Sequence, residues 1–146
     1  MKKAFPSPPE ILPHAYPFIM IDKIIKFEEK ISIVCIKNVS LNDEYLGGHY
    51  QKNTNFPALP QVLVLEAMVQ SSGLVLGNTK DKVAYLCLIK EATFEKSVVA
   101  GDQLVITSRI TQSFTPFYVF EAVATVDSEI ASKAVITLSL TIKGTT

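Results

Sequence analysis

Neither sign of charge is in excess in this sequence: 14 basic and 14 acidic side chains cancel over 146 residues. A dominant role on nucleic acid or at a membrane surface would bring a basic surplus, so neither partner is expected. No apolar run reaches the roughly 18 residues that a membrane-crossing helix needs. Lys2 and Lys3 imitate the start of a signal peptide, but Pro6, Pro8, Pro9 and Glu10 stand where its apolar stretch belongs. A cytoplasmic location is therefore expected. Cysteine is scarce as well. Cys35 and Cys87 stand alone in apolar, strand-like runs and read as reduced, buried thiols. With two cysteines and two histidines, well apart, no common zinc pattern can be written. Linkers, repeats and low-complexity segments are missing. So are a serine nucleophile elbow, a phosphate loop and a dinucleotide fingerprint.

What is present is apolar: 48% of residues are hydrophobic and only 19% charged. The length suits one domain over 1–146, with residues 1–10 as a proline-rich lead-in arm. A chain so neutral and apolar is expected to bury a large interface as well as a core. Pro13-His14-Ala15-Tyr16-Pro17-Phe18 reads as a turn-like element, because prolines so close together do not fit regular structure. Phe18 to Lys26 and Ile31 to Val39 read as strands around the charged turn Glu28-Glu29-Lys30. Asn42 to Tyr45 suits a short helical turn, and Gly47 to Leu59 a loop. Pro60 to Leu76 is the strong helix, with Pro60 in its first turn and Gly77-Asn78 at its end. Its apolar residues cover nearly every face, so the helix is expected to be buried. Lys82 to Lys90, Leu104 to Thr111, Phe117 to Val126 and Ile130 to Ile142 read as strands. Gly101-Asp102 and Asp127-Ser128 are turn signals among them. One buried helix with five or six mostly antiparallel strands means an α+β domain whose sheet wraps the helix.

Glu66 is the anomaly, the one charged residue in that helix. A buried carboxylate must be paired or held protonated. Gln70 lies one turn on, on the same face, within reach of it. His49 follows Gly47-Gly48 in the loop before the helix. A His and a Glu supply a base and an acid near neutral pH. The helix start at Gln61 and Val62 adds unpaired amides and a positive dipole end, suited to a developing enolate oxygen. Together these parts fit β-elimination of water next to a carbonyl, or its reverse.

The motifs resemble those of the bacterial 3-hydroxyacyl-[acyl-carrier-protein] dehydratases of the hot-dog fold. Pro13-His14-Ala15-Tyr16-Pro17-Phe18 with Ile21-Asp22-Lys23 is similar to the family's opening, and so is Lys37-Asn38-Val39-Ser40-Leu41-Asn42. Gly48-His49-Tyr50 resembles its Gly-His-Phe. Pro57-Ala58-Leu59-Pro60-Gln61-Val62-Leu63 with Glu66-Ala67-Met68-Val69-Gln70 resembles its Pro-x-x-Pro-Gly-Val-Leu and Glu-Ala-Met-Ala-Gln. Val98 to Leu104 and Ala124 to Asp127 continue the match, which runs in order from about Ile11 to Ile142. The resemblance implies a long antiparallel sheet wrapped around one central helix. It implies a homodimer with one continuous sheet, in some members a trimer of dimers, with His49 of one subunit facing Glu66 of the other. The acyl chain would arrive on the phosphopantetheine of an acyl carrier protein and enter an apolar tunnel along the helix. No metal or redox cofactor is implied. His14 belongs to an element that the family uses structurally, so it is left out of the catalytic set. Tyr16 and Phe18 are expected at the interface, and Phe94, Phe117 and Tyr118 could line the tunnel or simply pack.

The sequence also departs from the family. The loop Gln51 to Phe56 carries an insertion, and Gln51 stands where a proline usually follows. Gln61 replaces a glycine. If that position needs positive φ, Gln61 is strained; if it lies in the first helical turn, its N–H survives. Thr93-Phe94-Glu95-Lys96 thins the basic patch expected to meet an acidic carrier, and Arg109 is the only arginine. These changes suggest a specialised member. A thioesterase on the same fold and a non-catalytic acyl-binding or assembly relative remain the alternative readings.

Overall fold

The computed structural model describes residues 5–47, 57–77 and 81–144. Six strands form one antiparallel sheet: β1 (Lys23–Glu28), β2 (Ser32–Asn38), β3 (Lys82–Phe94), β4 (Gln103–Phe114), β5 (Phe117–Val126) and β6 (Glu129–Ile142). Their order across the sheet is β1-β2-β4-β5-β6-β3. Two four-residue helices, α1 (Pro8–Ile11) and α2 (Glu44–Gly47), flank the start of the chain. The long helix α3 (Gln61–Val75) packs on the concave side and touches every strand from β2 to β6. The expected α+β, hot-dog arrangement of a sheet wrapped around one helix is what forms.

Period-two alternation explains the wrapping. Along β4 and β5, Leu104, Ile106, Phe120, Ala122 and Ala124 face inward and are buried. They meet Val64, Ala67, Met68, Leu74 and Val75 of α3. Two buried serines join the layers: Ser72 Oγ and Ser108 Oγ lie 2.7 Å apart. Ser72 also donates to the Met68 carbonyl. The hairpin turns are chemically specified. Lys30 at φ 58° turns β1 into β2, and Asp127 and Ser128, at φ 49° and 67°, turn β5 into β6. Asp127, with its short polar side chain, tolerates that left-handed region, and its twist suits a tight hairpin.

Several boundaries differ from the sequence reading. β1 starts at Lys23 and not at Phe18, because residues 18–20 bond to a side chain of α3 and not to a neighbouring strand. The proline-rich arm contains α1, where the Ser7 N–H donates to Glu10 Oε2 at 2.9 Å. β3 extends to Phe94 through bulges near Cys87 and Lys90. Pro60 is the residue before the helix and not its first turn: its φ of −53° and ψ of 135° are extended, and Gln61 opens α3. Nor is α3 buried all round. Val62 is 70% exposed, and Leu65, Glu66, Val69 and Gly73 are half-buried along one face. Cys87 is exposed rather than buried, because β3 is an edge strand. Among the described residues, no helix is long and apolar enough to cross a membrane.

Candidate active site

The open face of α3 carries Glu66 with Gln70 one turn later. Gln70 is 1% exposed and its amide is fully used. Its Oε1 accepts the Met20 N–H at 2.8 Å. Its Nε2 donates to the Phe18 carbonyl and to Glu66 Oε1, each at 2.9 Å. The expected Glu66–Gln70 pairing is therefore made, and it also pins residues 18–20 to the helix. The Glu66 side chain retains 22% of its exposure. It is not the sealed carboxylate expected from an all-apolar helix, because the sheet leaves this face of α3 open. A carboxyl that is held on one side and open on the other can exchange a proton with a ligand.

His14 arrives beside it. Its Nε2 lies 3.5 Å from Glu66 Oε1. Its ring rests on Phe18, centroid to centroid 5.8 Å. Phe18 in turn meets the edge of Tyr45 at 6.1 Å. The turn is closed by the Phe18 N–H on the Ala15 carbonyl at 2.8 Å. It is fastened to α2 by the Tyr16 hydroxyl, which donates to Glu44 Oε1 at 2.8 Å. That bond and the charge of Glu44 push the Tyr16 hydroxyl above its ordinary range. The sequence reading treated His14 as structural. The only signal that could have found it was a histidine held between prolines, since Gln70 and Phe18, the link that brings His14 to the helix, are 52 residues apart.

Gln61 and Val62 sit at the very start of α3. The Leu63 and Val64 N–H groups already bond to the Pro60 carbonyl, at 2.9 and 3.2 Å. Those of Gln61 and Val62 precede that first helical bond and, among the described residues, have no hydrogen-bond partner, which suits a ligand oxygen. Gln61 is helical and is not among the residues with positive φ, so replacing a glycine strains nothing. His49, with Gly48, Tyr50 and the loop from Gln51 to Phe56, lies outside the described residues.

A cavity of about 350 Å³ opens beside His14 and Gln70. Val69, Gly73, Ala84 and Leu138 give it an apolar wall. Among the described residues, a Cβ added at Gly73 would meet nothing within 4 Å. Phe94, Phe117 and Tyr118 do not line it. Phe117 instead packs on Phe114, with ring centroids 5.7 Å apart. Near the thinned basic patch, Lys96 pairs with Glu129 at 2.7 Å and Lys133 with Glu95 at 3.5 Å, so carboxylates of the chain itself offset these cations.

Known proteins are similar to this chain in sequence and in fold. The family model described as a FabA-like domain matches residues 12–135. The 3-hydroxyacyl-[acyl-carrier-protein] dehydratase FabZ of Polynucleobacter asymbioticus is 36% identical over 138 residues, covering 92% of this chain and 91% of the relative. The FabZ of Aromatoleum aromaticum is 37% identical over 137 residues, covering 90% and 92%. Among solved structures, the dehydratase heterocomplex ApeI:P of Xenorhabdus doucetiae superposes with a TM-score of 0.80 at 17% identity, over 95% of this chain and 93% of that one. A hypothetical thioesterase with coenzyme A from Streptococcus pneumoniae reaches 0.65 at 16% identity, over 82% and 85%. At such identities the structural likenesses establish the hot-dog fold alone. Family is decided by the sequence matches, which run through both the Glu66 helix and the strands that hold it: the chain belongs to the 3-hydroxyacyl-[acyl-carrier-protein] dehydratases.

Proposed function

We infer that this protein converts 3-hydroxyacyl thioesters on an acyl carrier protein to trans-2-enoyl thioesters and water, reversibly, in fatty-acid biosynthesis. The observation that carries the reading is a carboxyl pinned by Gln70 at the open face of the central helix, in a chain that matches the dehydratases along nearly all its length. In the proposed mechanism His49 takes the proton from C2, the electrons of that C–H bond pass onto the thioester carbonyl as an enolate, and its collapse forms the C2–C3 double bond as the C3–O bond breaks. The amides of Gln61 and Val62 hold the enolate oxygen of the thioester. Glu66 protonates the C3 hydroxyl, which departs as water. Only protons and water move and no oxidation state changes, so the reaction calls for no redox cofactor; with Glu66 as the acid and the helix amides at the oxygen, the proposed mechanism uses no metal. The cavity beside Val69 and Gly73 supplies an apolar wall for the acyl chain.

We further propose a homodimer in which His49 comes from the partner copy, with a trimer of dimers as its larger form. The state of β3 supports a paired edge. Among the described residues it has one neighbour, β6, yet Tyr85 and Leu88 are 54% and 55% exposed. A long apolar edge strand is a template for a second strand. The reduced cysteines accord with a cytoplasmic location. The offset cations near Lys96 and Lys133 fit weak steering of an acidic carrier and a specialised role. The test follows enoyl-thioester absorbance with 3-hydroxyacyl and trans-2-enoyl substrates, for the natural protein, His49→Ala and Glu66→Gln. The expected result is turnover that both substitutions abolish in protein that is still assembled. Unchanged turnover by Glu66→Gln would overturn the mechanism, and release of free thiol would show a thioesterase instead.

A further inference from the structure

A carboxyl acid in such a site needs more than a proton. It must offer that proton from one defined oxygen, in one plane. The terminal torsion of a glutamate is broad and nearly two-fold, so an unconstrained carboxyl swaps its oxygens freely. One hydrogen bond leaves the group able to swing about the line of that bond. Here the Gln70 donor falls on Oε1 at 2.9 Å, and the His14 ring nitrogen approaches the same Oε1 at 3.5 Å from another element. Among the described residues, no hydrogen bond or ion pair reaches Oε2.

We propose that His14 is a positioning residue for Glu66: with Gln70 it fixes Oε1 as the held oxygen and leaves Oε2 as the oxygen that delivers the proton. This rests on the reading of Glu66 as the acid. The protonation of the ring agrees with the role. His14 Nδ1 is buried without a hydrogen-bond partner among the described residues. A hydrogen there would be a stranded buried donor, whereas a bare lone pair costs less, so the hydrogen belongs on Nε2, the atom facing Glu66. At 3.5 Å the contact is a long one, and catalytic hydrogen bonds commonly shorten when substrate closes the site. The framework that aims the ring is built independently of it: Phe18 under the ring, the Gln70 bonds to residues 18–20, and the Tyr16–Glu44 bond beyond. An orphaned buried nitrogen is thus retained beside the carboxyl that the reaction uses.

The test compares His14→Leu, which removes the donor, with His14→Gln, whose Nε2 can occupy the same place. Both are assayed for kcat, KM and melting temperature in the full-length protein, beside Glu66→Gln. His14→Leu is expected to lower kcat about tenfold or more with KM within about twofold, and His14→Gln to recover kcat to within about threefold of the natural protein. Should the Leu variant fail to assemble, His14→Phe replaces it, since it keeps a ring against Phe18 and lacks the donor. An unchanged kcat in a folded Leu or Phe variant overturns the proposal while Glu66→Gln is inactive. So does a loss shared equally by His14→Gln and carried by KM or by melting temperature, which marks His14 as merely structural. An active Glu66→Gln instead removes the acid assignment itself, and the two failures are told apart.

Discussion

Replacing Gln70 with leucine tests whether one amide both holds the fold and aims the Glu66 carboxyl. The side chains are close in volume, so the change removes hydrogen bonds without opening a cavity. Three are lost: from the Met20 N–H, to the Phe18 carbonyl and to Glu66 Oε1. Their consequences differ. Met20 is 2% exposed, so its N–H is stranded away from water, at a cost of about 1–3 kcal/mol. Phe18 is 37% exposed and Glu66 is half-open, so water replaces their lost partner and each contributes only about 0.5–1 kcal/mol. The added apolar burial of leucine returns about 1 kcal/mol. A net loss of about 2 kcal/mol should lower the melting temperature by about 4–8 °C at this chain length. The melt must be followed by circular dichroism at fixed protein concentration, because the proposed dimer would make the midpoint concentration-dependent. Independently, a carboxyl freed from Gln70 loses its orientation, and kcat should drop by about ten- to a hundredfold. A Gln70→Leu protein melting within about 1 °C of the natural one would refute the stranded-amide account. A normal kcat in the folded variant would refute the aiming role.

Other outcomes follow from features elsewhere. Ser72→Ala should cost about 1–2 kcal/mol in urea unfolding, because Ser108 keeps a buried hydroxyl without its partner; adding Ser108→Ala should cost little more, a coupling that a double-mutant cycle measures. Burial pushes the Cys35 thiol from its ordinary 9.0 up to about 12, with a hydrogen bond from Ser71 working the other way. Since the unfolded chain loses that proton first, the contribution is whole below pH 9 and fades as pH rises toward 12, by at most about 1.4 kcal/mol per pH unit. Denaturation midpoints across that range should fall, and Cys35→Ala should flatten the fall. Leu88→Lys places a charge on the open edge of β3, and sedimentation should show monomers that have also lost turnover.

The fold was largely legible because its strands alternate cleanly. β5 matches the sequence reading end to end, and β6 begins one residue before the expected Ile130. Misreadings cluster where side chains from distant segments take over backbone groups. Phe18 to Asp22 has strand-forming residues, but Gln70 claims the Met20 N–H and the Phe18 carbonyl. No local pattern announces such a competitor. The helix was found within a residue at each end, yet its apolar composition concealed an open face, since a valine against a partner and a valine against the core look alike in sequence. Glu66 and Gln70 were legible as a pair because helical spacing alone brings them together. His14 was not, because its place beside Glu66 depends on tertiary contacts made by Phe18 and Gln70.

The strand order also bears on the order of synthesis. β3 is made directly after the helix, yet among the described residues its only neighbour is β6, the last of the described strands. While β4 and β5 emerge and fold back on one another, the apolar side chains of β3 wait with neither edge covered. A chain halted before Glu129 therefore leaves β3 bare on both sides, a species prone to pair with whatever extended chain is nearby. Growth of β6 closes one edge, and the other has no neighbour among the described residues. Truncations in the last strand should consequently yield insoluble protein rather than a weakened enzyme.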